Sequence, residues 1–72
     1  MSTLFAQRLK EERRHNGFTQ PQMAQLLGIP FNTYKNYESV GKRNRAPDID
    51  MIVKIATVLK TTTDYLMGKD PV

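Results

Sequence analysis

The sequence predicts an all-α domain of five short helices, and three observations predict it. Glycine and proline punctuate the chain: Gly17, then Gly28 with Pro30, then Gly41 with Pro47, then Gly68 with Pro71. Each block between them repeats its apolar residues at helical spacing, and none alternates with the period of two that a strand needs. Capping residues stand at the block edges, with Thr19, Asp48 and Thr62 at starts and Gly17, Gly28 and Gly68 at ends.

The first block runs from about Thr3 to Asn16. Leu4 or Phe5, then Leu9 and Arg13, follow one face at i, i+4, i+8. Ser2 or Thr3 can cap its start. Arg13, Arg14 and His15 sit in the last turn, where positive charge suits the helix dipole.

The second block opens on Thr19-Gln20-Pro21-Gln22, in which Thr19 and Gln22 make a capping box and Pro21 suits a first turn. Met23, Ala24 and Leu27 form its apolar stripe, and Gly28 ends it. The third block starts at Pro30 or Phe31 and closes near Glu38. Tyr34 and Tyr37, three apart, point inward, while Asn32, Lys35 and Asn36 share the outer face. Two short helices joined by so tight a glycine-containing turn form a helix-turn-helix, here over about residues 19–38.

Ser39 to Pro47 reads as a loop carrying the cations Lys42, Arg43 and Arg45. Asp48 caps a fourth helix to about Leu59, with Ile52, Ile55, Ala56 and Leu59 facing inward. Thr62 or Thr61 caps a fifth, which carries Tyr65, Leu66 and Met67. These three supply more apolar area than so small a core is expected to hide. They are therefore the expected contact of a weak homodimer; the alternative is that Leu66 packs inward and only Tyr65 is free.

The 72 residues make one small domain, 1–72, with a core of few side chains. The absence of cysteine excludes disulfides and thiolate metal sites. No apolar run is long enough for a membrane span, and the N-terminus lacks a signal-peptide core, so a cytoplasmic chain is expected. Eleven Lys and Arg against seven Asp and Glu leave a net charge of +4. That excess favours nucleic acid or an acidic partner. His15 is the sole histidine, and no nucleophile–base or paired-carboxylate arrangement is visible, so catalysis is not expected. Asp48 and Asp50 read as helix-start residues, so neither a metal nor another cofactor is expected.

From Phe5 to Gly68 the chain resembles the lambda repressor/Cro-like helix-turn-helix regulators, the XRE or Cro/C1 type. The matching pieces are RLKEERRHNGFTQ (8–20), MAQLLGI (23–29), NYE (36–38), GKR…P (41–47) and IVKIATVLKTTTDYLMG (52–68). The resemblance implies a compact five-helix domain whose third helix enters the DNA major groove. It also implies a transcriptional regulator, of the phage or prophage repressor kind, that sits as a homodimer on a palindromic or pseudo-palindromic operator. Carried over position by position, base reading falls on Phe31, Asn32 and Asn36, joined by Lys35 on the same outer face. Phosphate contact falls on Gln20 and Thr33, and on Lys42, Arg43 and Arg45 of the loop. Arg13 and Glu38 fall on a structural pair that ties the first helix to the end of the third.

The residue types suit these roles. Asn pairs two atoms of an adenine edge, and an apolar ring can meet a thymine methyl. Phe31 has two readings, a core side chain or an exposed one facing thymine. Lys42, Arg43 and Arg45 either meet phosphate or form a solvated basic loop. Arg8, Lys10 and Arg14, interleaved with Glu11 and Glu12, read as ordinary solvated residues.

Three features depart from the family pattern. Glu12 stands where many members have leucine, Pro30 replaces a capping Ser or Thr, and the loop after Glu38 is longer than its commonest form. A rival reading is an antitoxin-type helical module whose main partner is a protein.

Overall fold

The computed structural model describes residues 3–39 and 46–69. Five helices follow in order: α1 (Thr3–His15), α2 (Gln20–Leu27), α3 (Phe31–Glu38), α4 (Ile49–Leu59) and α5 (Thr63–Met67). Among the described residues there is no strand. None of the described helices is long and apolar enough to cross a membrane. Lys42, Arg43 and Arg45 lie outside the described residues.

Local chemistry sets most boundaries. Thr19 Oγ1 accepts the Gln22 N–H at 3.2 Å, and Gln22 Oε1 accepts the Thr19 N–H at 2.8 Å. That reciprocal box satisfies donors that a helix start would otherwise leave open. Asp48 accepts the Met51 N–H at 2.9 Å, and Thr62 rather than Thr61 accepts the Tyr65 N–H at 3.0 Å. Pro30 supplies no side-chain cap to α3. The turn between α2 and α3 depends on Gly28, which is left-handed at φ 70°. The following Ile29 N–H then returns to the Ala24 carbonyl at 3.0 Å, closing α2.

α1 packs against α5 and α3, α2 against α3 and α4, and α4 against α5. The core at their centre joins Phe5 and Leu9, Met23, Ala24 and Leu27, Tyr34 and Tyr37, Ile52, Ile55, Ala56 and Leu59, and Leu66. On α1 the inward residue is Phe5, fully buried, while Leu4 is exposed. The Tyr34 and Tyr37 rings meet edge to face, centroids 6.3 Å apart.

Two expectations need correction. Arg8 is not an ordinary solvated residue. Its guanidinium lies 4.4 Å from the centroid of the Tyr65 ring and donates to the Tyr65 carbonyl oxygen, so it joins α1 to α5. The apolar side chains of α5 do not form a free patch either. Leu66 is fully buried, and Tyr65 and Met67 pack partly buried against the core. A five-residue helix laid across α1 and α4 turns its apolar residues toward them.

Candidate nucleic-acid interface

α3 separates its residues by face. Tyr34 and Tyr37 are buried, whereas Asn32 and Lys35 are exposed and Asn36 is half-buried. Asn32, Lys35, Asn36 and Ser39 line one open polar hollow along that outer face. Phe31 is 42% exposed at the N-terminal edge of the helix, outside the core. Thr33 is half-buried on the flank. The surface thus presents amide donors and acceptors, one ammonium group and one aromatic edge.

What holds α3 at this angle is a polar cluster centred on the Glu38 carboxylate. Arg13 donates to it twice, from Nε at 2.6 Å and from Nη2 at 3.1 Å. The Tyr34 hydroxyl donates to Oε2, and Gln20 Nε2 donates to Oε1 at 3.1 Å. Arg13 spends its remaining arm on the Phe18 carbonyl oxygen at 2.8 Å. One carboxylate therefore joins α1, the α1–α2 turn, the start of α2 and the end of α3. The pair is nearly closed to solvent, at 9% and 2% side-chain exposure.

Burial acts on each of these groups, and hydrogen bonding decides the direction for two of them. Burial pushes the Glu38 carboxyl up, but the donors Arg13, Tyr34 and Gln20 outweigh it and hold the carboxyl below its ordinary value. The hydrogen bond to Glu38 raises Arg13 against the opposing effect of burial. Tyr34 is pushed up, first by burial and then because its hydroxyl donates to the carboxylate. The cluster is thus fully ionised at its centre at neutral pH, and no buried side-chain nitrogen or oxygen among the described residues lacks a partner.

Gln20 stands at the first position of α2, where Pro21 carries no N–H and Thr19 takes that of Gln22. Gln20 Nε2 has two hydrogens, and one of them is fixed on Glu38. The end of α3 and the start of α2 are thereby joined.

Arg13, Gln20 and Glu38 are brought together, and Phe31, Asn32, Lys35 and Asn36 share the outer side of α3. Sequence reasoning missed the Tyr34 hydroxyl, although Tyr34 and Glu38 are four apart and so are neighbours on a helix. It also missed Ser39, whose Oγ donates to the Lys35 carbonyl oxygen at 3.0 Å and which lines the hollow. Among the described residues no group of three or more His, Asp or Glu side chains could hold a metal ion.

A five-helix array with this turn and this outward polar helix is the architecture of a helix-turn-helix domain, and the family model described as Helix-turn-helix matches residues 9–66. The chain belongs to that family. It is 43% identical over 65 residues to the HTH-type transcriptional regulator ImmR of Bacillus subtilis, which covers 90% of this chain and 49% of that protein. It is 38% identical over 63 residues to the cryptic phage CTXphi transcriptional repressor RstR of Vibrio cholerae, covering 88% of this chain and 54% of that one. A third relative, the SPbeta prophage-derived HTH-type transcriptional regulator YonR of Bacillus subtilis, is 38% identical over 64 residues, covering 89% and 56%. The chain spans about half the length of these relatives. No solved structure matches it at a comparable level of significance.

Proposed function

We propose that this chain is the DNA-reading domain of a transcriptional repressor of the phage or prophage kind. In this reading α3 enters the major groove of duplex DNA. Asn32 and Asn36 pair with base edges, Lys35 reaches a neighbouring base, and Phe31 meets a thymine methyl. Gln20 and Thr33 hold flanking phosphates, as do Lys42, Arg43 and Arg45. A homodimer covers two half-sites of a palindromic or pseudo-palindromic operator, so the protein acts by occupying DNA and needs no chemistry of its own. A cytoplasmic location goes with this reading.

The observation that carries the proposal is the division of α3 into a buried tyrosine face and an outward polar face. The net charge of +4 and the kinship with regulators and repressors support it. The test is a fluorescence-anisotropy titration of duplex DNA across a salt series. Counterion release predicts that log affinity falls linearly with log salt, by about 0.9 for each phosphate neutralised. A protein-binding module of the antitoxin type that does not use DNA would give no salt-dependent binding, and that result would contradict the proposal.

A further inference from the structure

Five large apolar side chains are exposed among the described residues: Leu4, Leu26, Phe31, Ile49 and Val53. Three have a setting. Leu4 lies over Gly68, with Cδ2 2.7 Å from where a β-carbon on that glycine would stand. Leu26 shares a cleft with Phe18 between Gln22 and Gln25. Phe31 belongs to the outer side of α3. Ile49 and Val53 are the two most exposed, at 68% and 50%. They are four apart on α4, so they form one continuous apolar strip on the outside of the domain.

We propose that this strip is where a second copy of the chain packs, α4 against α4 across a two-fold axis. An isologous contact must be complementary to itself. A two-fold axis beside the strip, midway between Ile49 and Val53 along the helix, makes the helices antiparallel and sets Ile49 of one copy against Val53 of the other. Asp50 and Lys54 flank the strip on one side, where Lys54 Nζ already donates one hydrogen to the Leu27 carbonyl oxygen at 3.0 Å, and the same operation brings Asp50 of each copy to the side that carries Lys54 of the other. The strip is therefore apolar at its centre and paired in charge at its rim. Neither an acidic nor a basic partner would match that rim as well as its own copy does.

The area sets the strength. Two side chains at these exposures offer on the order of 200 Å² per copy, against about 800 Å² per partner in a stable complex. Free in solution the contact is accordingly weak, on the order of millimolar. Two copies held on one duplex would meet at high effective concentration, where a weak contact suffices. The inference supplies the second copy for the operator proposed above and rests on that reading for its role on DNA. The contact itself needs no DNA.

The experiment is a concentration series of the isolated chain, micromolar to millimolar, followed by sedimentation and amide chemical shifts. Dimer formation with concentration-dependent shifts centred on Ile49 and Val53 is expected. Ile49→Asp should raise the dissociation constant at least about tenfold. An acidic residue at the start of a helix is favourable, so this variant should keep its helical signal. Asp50→Lys and Lys54→Asp should each weaken self-association, because like charges then meet across the axis. Mixing the two should restore it, since each then finds its opposite. Shifts confined to α5, no association at millimolar concentration, or a mixture no tighter than its parts would overturn the inference. No arm uses DNA, so its failure leaves the DNA-reading proposal standing, and failure of DNA binding leaves this contact standing.

Discussion

Gln20 and Glu38 are joined by a hydrogen bond of 3.1 Å from the Gln20 amide to the Glu38 carboxylate, across 18 residues of chain. The first residue of α2 is thereby held to the last residue of α3. In the proposed function, where α3 reads DNA and the start of α2 holds a phosphate, this bond fixes the two contacts relative to each other. Arg13 behind Glu38 extends the hold to α1. The orientation of the outer polar face thus rests on a charged cluster as well as on apolar packing.

The first prediction concerns that cluster. Arg13→Ala or Glu38→Ala alone leaves a buried charge without its partner and should cost about 3–5 kcal/mol. Removing both should cost less than the two together, with a coupling on the order of 0.5–3 kcal/mol. Urea unfolding of the four proteins in a double-mutant cycle measures it. Additivity within error would show that the two side chains do not interact.

The acid limb of stability follows from Glu38. Its carboxyl lies below the ordinary 4.5 in the folded chain. Its stabilisation is complete above pH 4.5, where the unfolded chain is also ionised. Below that the unfolded chain takes up a proton first, and the contribution is lost as pH falls toward the folded value. Glu38→Gln should lower stability at neutral pH and flatten this limb. Tyr34→Phe removes one donor, so it should raise the folded value and bring the end of the limb closer to its onset, which the unfolded chain fixes. Urea midpoints recorded from neutral pH downward check both. An acid limb of unchanged slope in Glu38→Gln would assign the titration to another carboxylate.

Lys60 ends α4 in the left-handed region, at φ 57°, a conformation that costs an L side chain about 1 kcal/mol. It is exposed. Lys60→Gly removes that strain while losing a small favourable charge at the helix end. A net gain of about 0.5 kcal/mol is expected, read as a higher thermal midpoint. A destabilised variant would show that the Lys60 side chain contributes more than its backbone costs.

These positions also show what a sequence can and cannot disclose. The capping box at Thr19 and Gln22 and the Asp48 cap were legible because their partners lie three residues away. The inward tyrosines were legible because spacing fixes a helix face. Arg8 was misread, because its partner Tyr65 is 57 residues distant and only the packing of α5 on α1 brings the two together. The sequence left two places open for Leu66, for a related reason. A short helix has too few residues to show which side it buries, and the answer lies in where α1 and α4 leave room. The convergence of Gln20 and Tyr34 on Glu38 likewise depends on how helices approach one another. The outer face of α3 was legible in composition, and the exposure of Ile49 and Val53 agrees with an inward stripe of Ile52, Ile55, Ala56 and Leu59 that leaves both off the core face.

Arg43 lies outside the described residues, and the phosphate contact proposed for it rests on charge and on the family resemblance. Arg43→Ala should weaken binding to cognate and random duplexes alike and flatten the salt slope by about one. Anisotropy over a salt series with both duplexes reads this directly. A loss confined to the cognate duplex would instead make Arg43 a base-reading residue.

Asn32→Ala tests the central claim most directly, that α3 reads sequence through its outer face. The measurement is anisotropy of wild type and variant on two duplexes, one obtained by selection of bound sequences and one random, over a salt series. Asn32 is exposed and carries no charge, so its loss should leave the fold and the salt slope unchanged. Losing a bidentate pair to one base should cost about 1–3 kcal/mol on the selected duplex and almost nothing on the random one. Equal weakening on both duplexes, or no change on either, would contradict the placement of α3 as the reading helix.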